Sequence, residues 1–266
     1  MGKTESALNR RALLVGASVA ASAAAAPALA QSAPRTFVFV HGAWHGGWCW
    51  RRVSDRLERL GHKVYAPSLT GLGDRAHLIT SRINVSTHIT DIVNILRFED
   101  LTDIVLVGHS YAGFVISGVA EREFSKIRSI VFVDAYVPQN GQSIYSMSSD
   151  RLRETVNAAI KRGETGMAPA RAAYFNVNEK DRAYVDSKCT PQPVGTYNEP
   201  LIITGARERI SKKTYIRAKG WNAPGFDAVV ARLRSDPTWK IHDMPCGHDV
   251  MIDMPDRLTD LLVAAA

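Results

Sequence analysis

A serine at the end of an apolar run is the most chemically informative feature of this 266-residue chain. Residues 104–107 are all aliphatic and predict a strand, and the sequence GHSYAG follows directly at 108–113. A strand that enters a tight turn of small residues with a serine at its tip is typical of a nucleophile elbow, which holds the hydroxyl where a histidine can deprotonate it. Ala112 occupies the second glycine position of the usual G-x-S-x-G pattern, but its side chain is small enough for close helix–strand packing. Ser110 is therefore the candidate nucleophile.

A serine nucleophile needs a general base and donors for the negative charge that develops on the substrate oxygen. His248, in the sequence PCGHD at 245–249, follows the last predicted strand and is the candidate base. The loop HGAWHGGWCW at 41–50 follows the first strong strand, and loops of this kind supply a backbone N–H to an oxyanion hole. We expect the N–H groups of Ala43 and Tyr111 to be these donors.

Two histidines of the 41–50 loop, His41 and His45, could suggest a metal site or a catalytic role. No acidic or cysteine partner with ligand spacing accompanies them. We therefore expect both side chains to brace the loop.

The rest of the sequence alternates between apolar strands and amphipathic helices from Thr36 onward, which predicts an α/β fold with a mostly parallel sheet and helices on both faces. The predicted strands are Thr36–Val40, 62–66, 104–107, 130–133, 213–218 and 239–243. The predicted helices are 47–60, closed by Gly61; 86–98, capped by Ser86 or Thr87; 111–121; and 255 to the C-terminus. Residues 137–211 interrupt this alternation, and we expect them to form a helical cap over the site. The alternative, a set of packed surface helices, is compatible with a cap.

The first thirty residues differ in composition from the rest of the chain. Paired arginines at 10 and 11 precede an alanine-rich apolar run at 12–26 and an A-x-A sequence at 28–30. This order is typical of a cleaved signal peptide, and the paired arginines are similar to the twin-arginine type. The run is too short and too rich in alanine for a membrane span. We expect residues 31–266 to form the mature domain, exported to a bacterial periplasm or secreted, without a stable membrane anchor.

Charge and cysteine usage exclude several functional classes. The net charge is +7, but no basic run interleaved with aromatic residues indicates nucleic-acid binding. Cys49, Cys189 and Cys246 are widely spaced and show neither zinc spacing nor a disulfide framework, and Cys49 is expected to be a buried packing residue. No glycine-rich phosphate loop is present. We therefore expect neither a cofactor nor a metal, and the oligomeric state stays open.

The 41–50 loop, the elbow and Gly247-His248 together resemble the plant methylesterase and hydroxynitrile lyase branch of the α/β-hydrolases. The resemblance extends from Arg35 to the C-terminus. It implies a cofactor-free Ser-His-acid hydrolase with a helical cap that acts on small carboxylic esters. The sequence departs from the lyases of this branch, which have a hydroxyl-bearing residue at the position of Gly42 and a lysine at the position of Asp249.

The acid of the triad is where the sequence departs from the branch as a whole. In that branch the acid follows the strand that corresponds to 213–218, but here no carboxylate occurs until Asp227. Asp134 ends the strand 130–133, a position similar to that of the acid in some haloalkane dehalogenases. A carboxylate at the end of an apolar parallel strand is costly to bury without a partner, which favours a functional role. Asp134 is thus the predicted acid and Asp227 the alternative, while Asp249 is poorly placed to orient its own neighbour.

The leading interpretation is a serine hydrolase that cleaves a small-molecule carboxylic ester, with Trp44, Tyr111 and Tyr136 as candidate pocket residues. Amide hydrolysis by the same residues, a lyase and a non-catalytic binding protein remain as alternatives. Dehalogenation is excluded, because it requires a carboxylate nucleophile at the position of Ser110.

Overall fold

The structure is a computed structural model that describes residues 33–266. Its strands are β1 (Thr36–Val40), β2 (Lys63–Tyr65), β3 (Ile104–His109), β4 (Ile127–Val133), β5 (Gly166–Met167), β6 (Gln192–Pro193), β7 (Lys212–Ala218) and β8 (Trp239–Met244). Six of them form one parallel sheet in the order β2-β1-β3-β4-β7-β8, and β5 pairs with β6 in a separate antiparallel pair. The predicted mostly parallel sheet is confirmed.

Nine α-helices lie within residues 33–266. They are α1 (Arg51–Arg59), α2 (Val85–Phe98), α3 (Ala112–Glu123), α4 (Ile144–Met147), α5 (Asp150–Lys161), α6 (Arg182–Lys188), α7 (Pro224–Arg234), α8 (Val250–Asp253) and α9 (Pro255–Ala265). Among these helices, none combines the length and the apolar character that a membrane crossing needs.

The sheet separates two apolar cores because side chains alternate along each strand. In β3, Ile104 and Leu106 pack in the core that includes α2, α3 and α7. Val105 and Val107 point the other way, into the core that includes α1, α8 and α9. Because β3 is buried on both faces, both sets of alternating side chains are apolar, and this is why residues 104–107 are all aliphatic.

All six predicted strands are present, and most differences lie at their ends. β4 begins at Ile127, three residues earlier than predicted, and β3 continues to His109. The predicted helix 47–60 consists of a 3-10 turn over Gly47–Trp50 followed by α1, and Gly61 follows with a φ of 84°. That left-handed conformation confirms Gly61 as the residue that closes the helix. α7 and the short α8 are further helices, beyond the four predicted outside the cap.

The predicted cap residue of α2 was wrong. The helix begins one residue earlier, and Asn84 accepts a hydrogen bond from the Thr87 N–H at 2.9 Å. Thr87 lies in the first turn, where its hydroxyl oxygen accepts a hydrogen bond from the Asn84 N–H and completes a capping box. Ser86 is the second helical residue, and its hydroxyl donates to Glu199 instead.

Residues 137–211 contain α4, α5, α6 and the β5–β6 pair, and we call this segment the cap. It lies between β4 and β7 in the chain. Since all six strands of the main sheet are parallel, their carboxyl ends meet at one edge. Ligands of open α/β sheets bind at that edge, and loops after β3, β4 and β8 meet there.

Candidate active site

The turn after β3 holds Ser110 in a strained conformation. Ser110 has a φ of 53°, which a side chain other than glycine adopts only when its surroundings enforce it. The Ser110 N–H donates to Val133 O at 3.2 Å, and its carbonyl accepts from the Tyr136 N–H at 3.1 Å. Glycine is required at 113, because a Cβ there would lie 1.8 Å from Tyr136 O. The turn therefore depends on close contact with the chain that follows β4.

The hydroxyl of Ser110 begins a chain of two hydrogen bonds. Ser110 Oγ lies 2.8 Å from His248 Nε2, and His248 Nδ1 lies 2.6 Å from Asp134 Oδ2. Asp134 immediately follows β4, has a φ of 42° and is fully buried. Because a carboxylate only accepts, Nδ1 carries the proton and Nε2 is left to accept from Ser110. This tautomer is the one that a general base requires.

Buried donors occupy the other oxygen of Asp134. Its Oδ1 accepts from Arg217 Nη1 and from the Ala218 N–H, each at 3.0 Å. Arg217 is only 1% exposed and also binds Asp227, at 3.1 and 3.3 Å. Although burial alone would lower the pKa of Arg217, the two carboxylates raise it. A permanently charged guanidinium thus fixes the orientation of Asp134.

The alternative acid lies further from the imidazole. Asp227 is in the first turn of α7, with its side chain 44% exposed, and it pairs with Arg217 and Lys219. The structure brings Asp134 to His248 and connects Asp227 to this arrangement only through Arg217.

The two residues expected to supply the oxyanion donors lie at the cavity that contains Ser110. Ala43 and Tyr111 both line the same cavity as Ser110 and His248. Within residues 33–266, neither N–H donates to a protein acceptor. Both amides are therefore free to bind an oxygen atom of a ligand.

The histidines of the 41–50 loop brace it, as expected. His41 Nδ1 lies 2.9 Å from Gly42 O, and His41 Nε2 accepts from the Leu69 N–H at 3.0 Å. Burial lowers the pKa of His41 to about 3, so its ring is neutral. His45 contacts Ala43 O and Asp249, and Asp249 makes no hydrogen bond to the ring of His248.

A cavity of about 540 Å³ lies above Ser110, between the sheet edge and the cap. Trp44 and Tyr136, the expected pocket residues, both line it. Trp44 has a φ of 65°, and its backbone and indole N–H groups donate to Gln192 and Met167 of the cap at 3.1 and 3.2 Å. Burial raises the pKa of Tyr136 to about 12, so its phenol remains neutral. A second cavity, of about 630 Å³ beside α1, contains neither Ser110 nor His248.

Three aromatic rings that the sequence analysis did not predict surround His248. Its ring centroid lies 4.3 Å from Trp221, 5.2 Å from Phe175 and 5.8 Å from Phe226. All three line the cavity. The apolar spacing of α7 could have identified Phe226, but no periodic pattern identifies Phe175 in the cap. These rings shield the imidazole from water, which strengthens its polar contacts.

The three cysteines are free thiols. Cys49 is fully buried among apolar residues, as expected. Burial raises the pKa of Cys246 and of Cys189 to about 12. Since the reactive form of cysteine is the thiolate, these groups are inert at neutral pH.

Comparisons with known proteins agree with this architecture. Residues 37–261 match the model of the alpha/beta hydrolase family. The chain is 41% identical over 237 residues to a carbendazim hydrolyzing esterase of Nocardioides sp. (strain SG-4G), covering 86% of this chain and 98% of the relative. It is 38% identical over 249 residues to methylesterase 10 of Arabidopsis thaliana, covering 85% and 90%.

Among solved structures, an extracellular alpha/beta-hydrolase from a Paenibacillus species superposes with a TM-score of 0.77. The two share 22% sequence identity, and the superposition covers 88% of this chain and 99% of that chain. At this identity the likeness concerns the fold alone. The match of residues 37–261 to the family model shows that this chain belongs to the alpha/beta hydrolase family.

Proposed function

We propose that this protein is a serine esterase in which Ser110 is the nucleophile, His248 the general base and Asp134 the residue that orients His248. The observation that carries the proposal is the hydrogen-bond chain from Ser110 Oγ through both nitrogens of His248 to Asp134, at 2.8 and 2.6 Å. It begins in the 540 Å³ cavity and ends at a fully buried carboxylate.

The reaction follows from the direction of these hydrogen bonds. As Ser110 Oγ attacks the ester carbonyl, its proton moves to His248 Nε2, and Asp134 stabilises the resulting imidazolium. The carbonyl oxygen becomes negative and accepts from the N–H groups of Ala43 and Tyr111. Each such donor is worth on the order of 10²–10³ in turnover.

Collapse of this intermediate releases the alcohol, which takes the proton from His248, and leaves the acyl group on Ser110. A water molecule then attacks the acyl group, and His248 accepts its proton. The carboxylic acid leaves and Ser110 Oγ regains its hydrogen. Neither half of the reaction requires a metal or an organic cofactor.

The proposed substrates are small carboxylic esters, methyl esters included. Two relatives that align along most of this chain are named as a carbendazim hydrolyzing esterase and a methylesterase. The cavity is bounded by cap side chains such as Met147, Leu152 and Met167, so its walls favour an apolar acyl or alcohol group of limited size.

A panel of p-nitrophenyl esters and matched p-nitroanilides tests the substrate class. We expect the mature protein to hydrolyse the esters, with kcat/KM falling once the acyl chain outgrows the cavity, and to hydrolyse the anilides far more slowly. Anilides cleaved as fast as esters would instead identify an amidase. No hydrolysis of either series, or of methyl esters, would favour a binding role.

Export is the second part of the proposal. The composition of residues 1–30, which lie outside the described residues, supports a cleaved signal peptide of twin-arginine type. We expect periplasmic or secreted material to begin at Gln31. Mass spectrometry of the N-terminal peptide measures this, and an intact residue 1 on all of the protein, found only in the cytoplasm, would contradict it.

A further inference from the structure

Behind the proposed catalytic residues lies a second buried pair that the reaction does not use. Asp249 follows His248 directly, is fully buried, and its Oδ2 lies 3.1 Å from Nε2 of His45. His45 is 3% exposed and belongs to the loop that carries Ala43. The pair thus joins two loops that are 204 residues apart in sequence.

The hydrogen bonds of His45 define its charge. Its Nδ1 lies 2.8 Å from Ala43 O, and a carbonyl oxygen can only accept. Its Nε2 faces the carboxylate of Asp249, which when ionised can also only accept. Both ring nitrogens must therefore carry hydrogen, so His45 is an imidazolium, whereas the partners of His41 define a neutral ring.

The surroundings of His45 favour this charged form. Burial alone would lower its pKa, but the charge and hydrogen bond of Asp249 outweigh burial and raise it. Although burial opposes ionisation of Asp249, His45 holds the pKa of that carboxyl well below its usual range. Trp48 also stacks on the His45 ring, with centroids 5.2 Å apart.

Four other titratable groups around the pair are uncharged, and His248, which precedes Asp249, takes up a proton in the proposed reaction. His109, at the end of β3, donates from Nε2 to His248 O at 3.0 Å, and burial keeps its pKa well below the usual value. His41 is neutral, as shown above. Burial raises the pKa of Cys49 and of Cys189, so both remain thiols. His45 and Asp249 therefore compensate each other's charge.

The contact with Ala43 O links this pair to the oxyanion loop. Peptide units are planar and trans, so the Ala43 N–H points away from Gly42 O in the same unit. His41 holds Gly42 O, and His45 holds the carbonyl of the next unit, Ala43 O. The peptide unit that contains the Ala43 N–H, and the unit that follows it, are each held through their carbonyl oxygen.

We infer that the His45–Asp249 ion pair has a positioning role: it fixes the Ala43 N–H and the loop of His248 relative to each other. The inference rests on the proposed function, because it assigns Ala43 to the oxyanion hole. A neutral His45 would have to give up one of its two hydrogen bonds. Loss of its second proton would therefore loosen the loop and reduce turnover at alkaline pH.

The test compares Asp249→Asn, His45→Gln and the double variant with wild type on one p-nitrophenyl ester, from about pH 6 to about pH 10. We expect Asp249→Asn to lower kcat by about 10- to 100-fold with KM changed less than about twofold, the range of a weakened oxyanion donor. Its alkaline limb should move to lower pH, because a His45 without a carboxylate partner loses its proton earlier. The double variant should be no worse than the poorer single variant, since the two residues act as a unit.

His62→Gln is the matched control. His62 is also buried, but it accepts from the N–H of Arg35, directly before β1, and lies outside the cavity. Its kcat and pH profile should match those of wild type.

Nitrogen NMR of the wild-type protein gives a readout that is independent of activity and of the folding of any variant. We expect the His45 ring to show both nitrogens protonated at pH values where His41 and His109 show one. A singly protonated His45, or an Asp249→Asn variant with wild-type kcat and pH profile, would overturn the inference. If Ser110→Ala stays active, the proposed function fails instead, and the NMR result still decides the charge of His45.

Discussion

Replacing Ser110 with alanine is expected to lower kcat for ester hydrolysis by about 10⁶, because no other group can form the acyl intermediate. The substitution removes only Oγ, whose hydrogen bond is the one to His248 at 2.8 Å. The elbow is held by backbone contacts, so the fold should persist. End-point assays at high enzyme concentration measure the residual kcat, and circular dichroism measures whether the fold is retained.

Ser54→Ala is the matched control for this variant. Ser54 is buried in α1, away from His248, and within residues 33–266 its Oγ has no hydrogen-bond partner. Its activity should equal that of wild type. A Ser110→Ala protein that keeps more than about a tenth of wild-type turnover would mean that another group performs the attack.

Replacing Asp134 with asparagine is expected to lower kcat by about 10⁴ while the fold is retained. The amide has nearly the shape of the carboxylate but cannot stabilise the imidazolium. It can also donate to Nδ1, which would put the proton of His248 on Nε2 and leave no acceptor for Ser110. Steady-state kinetics at saturating substrate measure this effect.

Asp227→Asn separates the two candidate acids. Asp227 reaches the site only through Arg217, and its side chain is 44% exposed. We expect its loss to change kcat by less than about tenfold, because the interaction of a half-exposed charge is screened by water. The opposite result, a mild effect at Asp134 and a severe one at Asp227, would show that Asp227 is the acid.

Much of the sheet could be predicted from sequence because burial on both faces leaves a direct signal. The aliphatic run at 104–107 and the serine that follows it identify β3 and the elbow without tertiary information. The end of a strand is less clear, as β4 shows. Its second residue, Arg128, is charged and is typical of a loop, but it pairs with Asp103 at the amino-terminal ends of β3 and β4.

The choice between Asp134 and Asp227 depends on strand order rather than on local sequence. β4 and β7 are neighbours in the sheet, so the end of either strand could supply a carboxylate to the same histidine. Arg217, at the end of β7, turns towards Asp134 and binds it. The sequence favours Asp134 because a buried carboxylate is costly unless it has a partner or a function. In the structure, the ion pair with Arg217 offsets that cost.

Other features of the site arise only from tertiary contacts. The charge of His45 depends on Asp249, 204 residues away, and no spacing rule connects them. Phe175 reaches His248 from the cap, where short helices and turns carry little periodicity. The N-terminal cap of α2 was predicted wrongly because the side chains of Asn84, Ser86 and Thr87 can all cap a helix. Glu199 binds both the backbone N–H and the hydroxyl of Ser86, and this contact cannot be seen in the local sequence.

Trapping the acyl-enzyme tests the central claim most directly. Wild-type protein mixed with excess p-nitrophenyl acetate, quenched in acid within the first turnovers and digested, should yield a peptide acetylated at Ser110. Its occupancy should match the burst of p-nitrophenol, and the peptide should be unmodified in Ser110→Ala. Turnover without acetylation of Ser110, or a burst that labels another residue, would contradict the account.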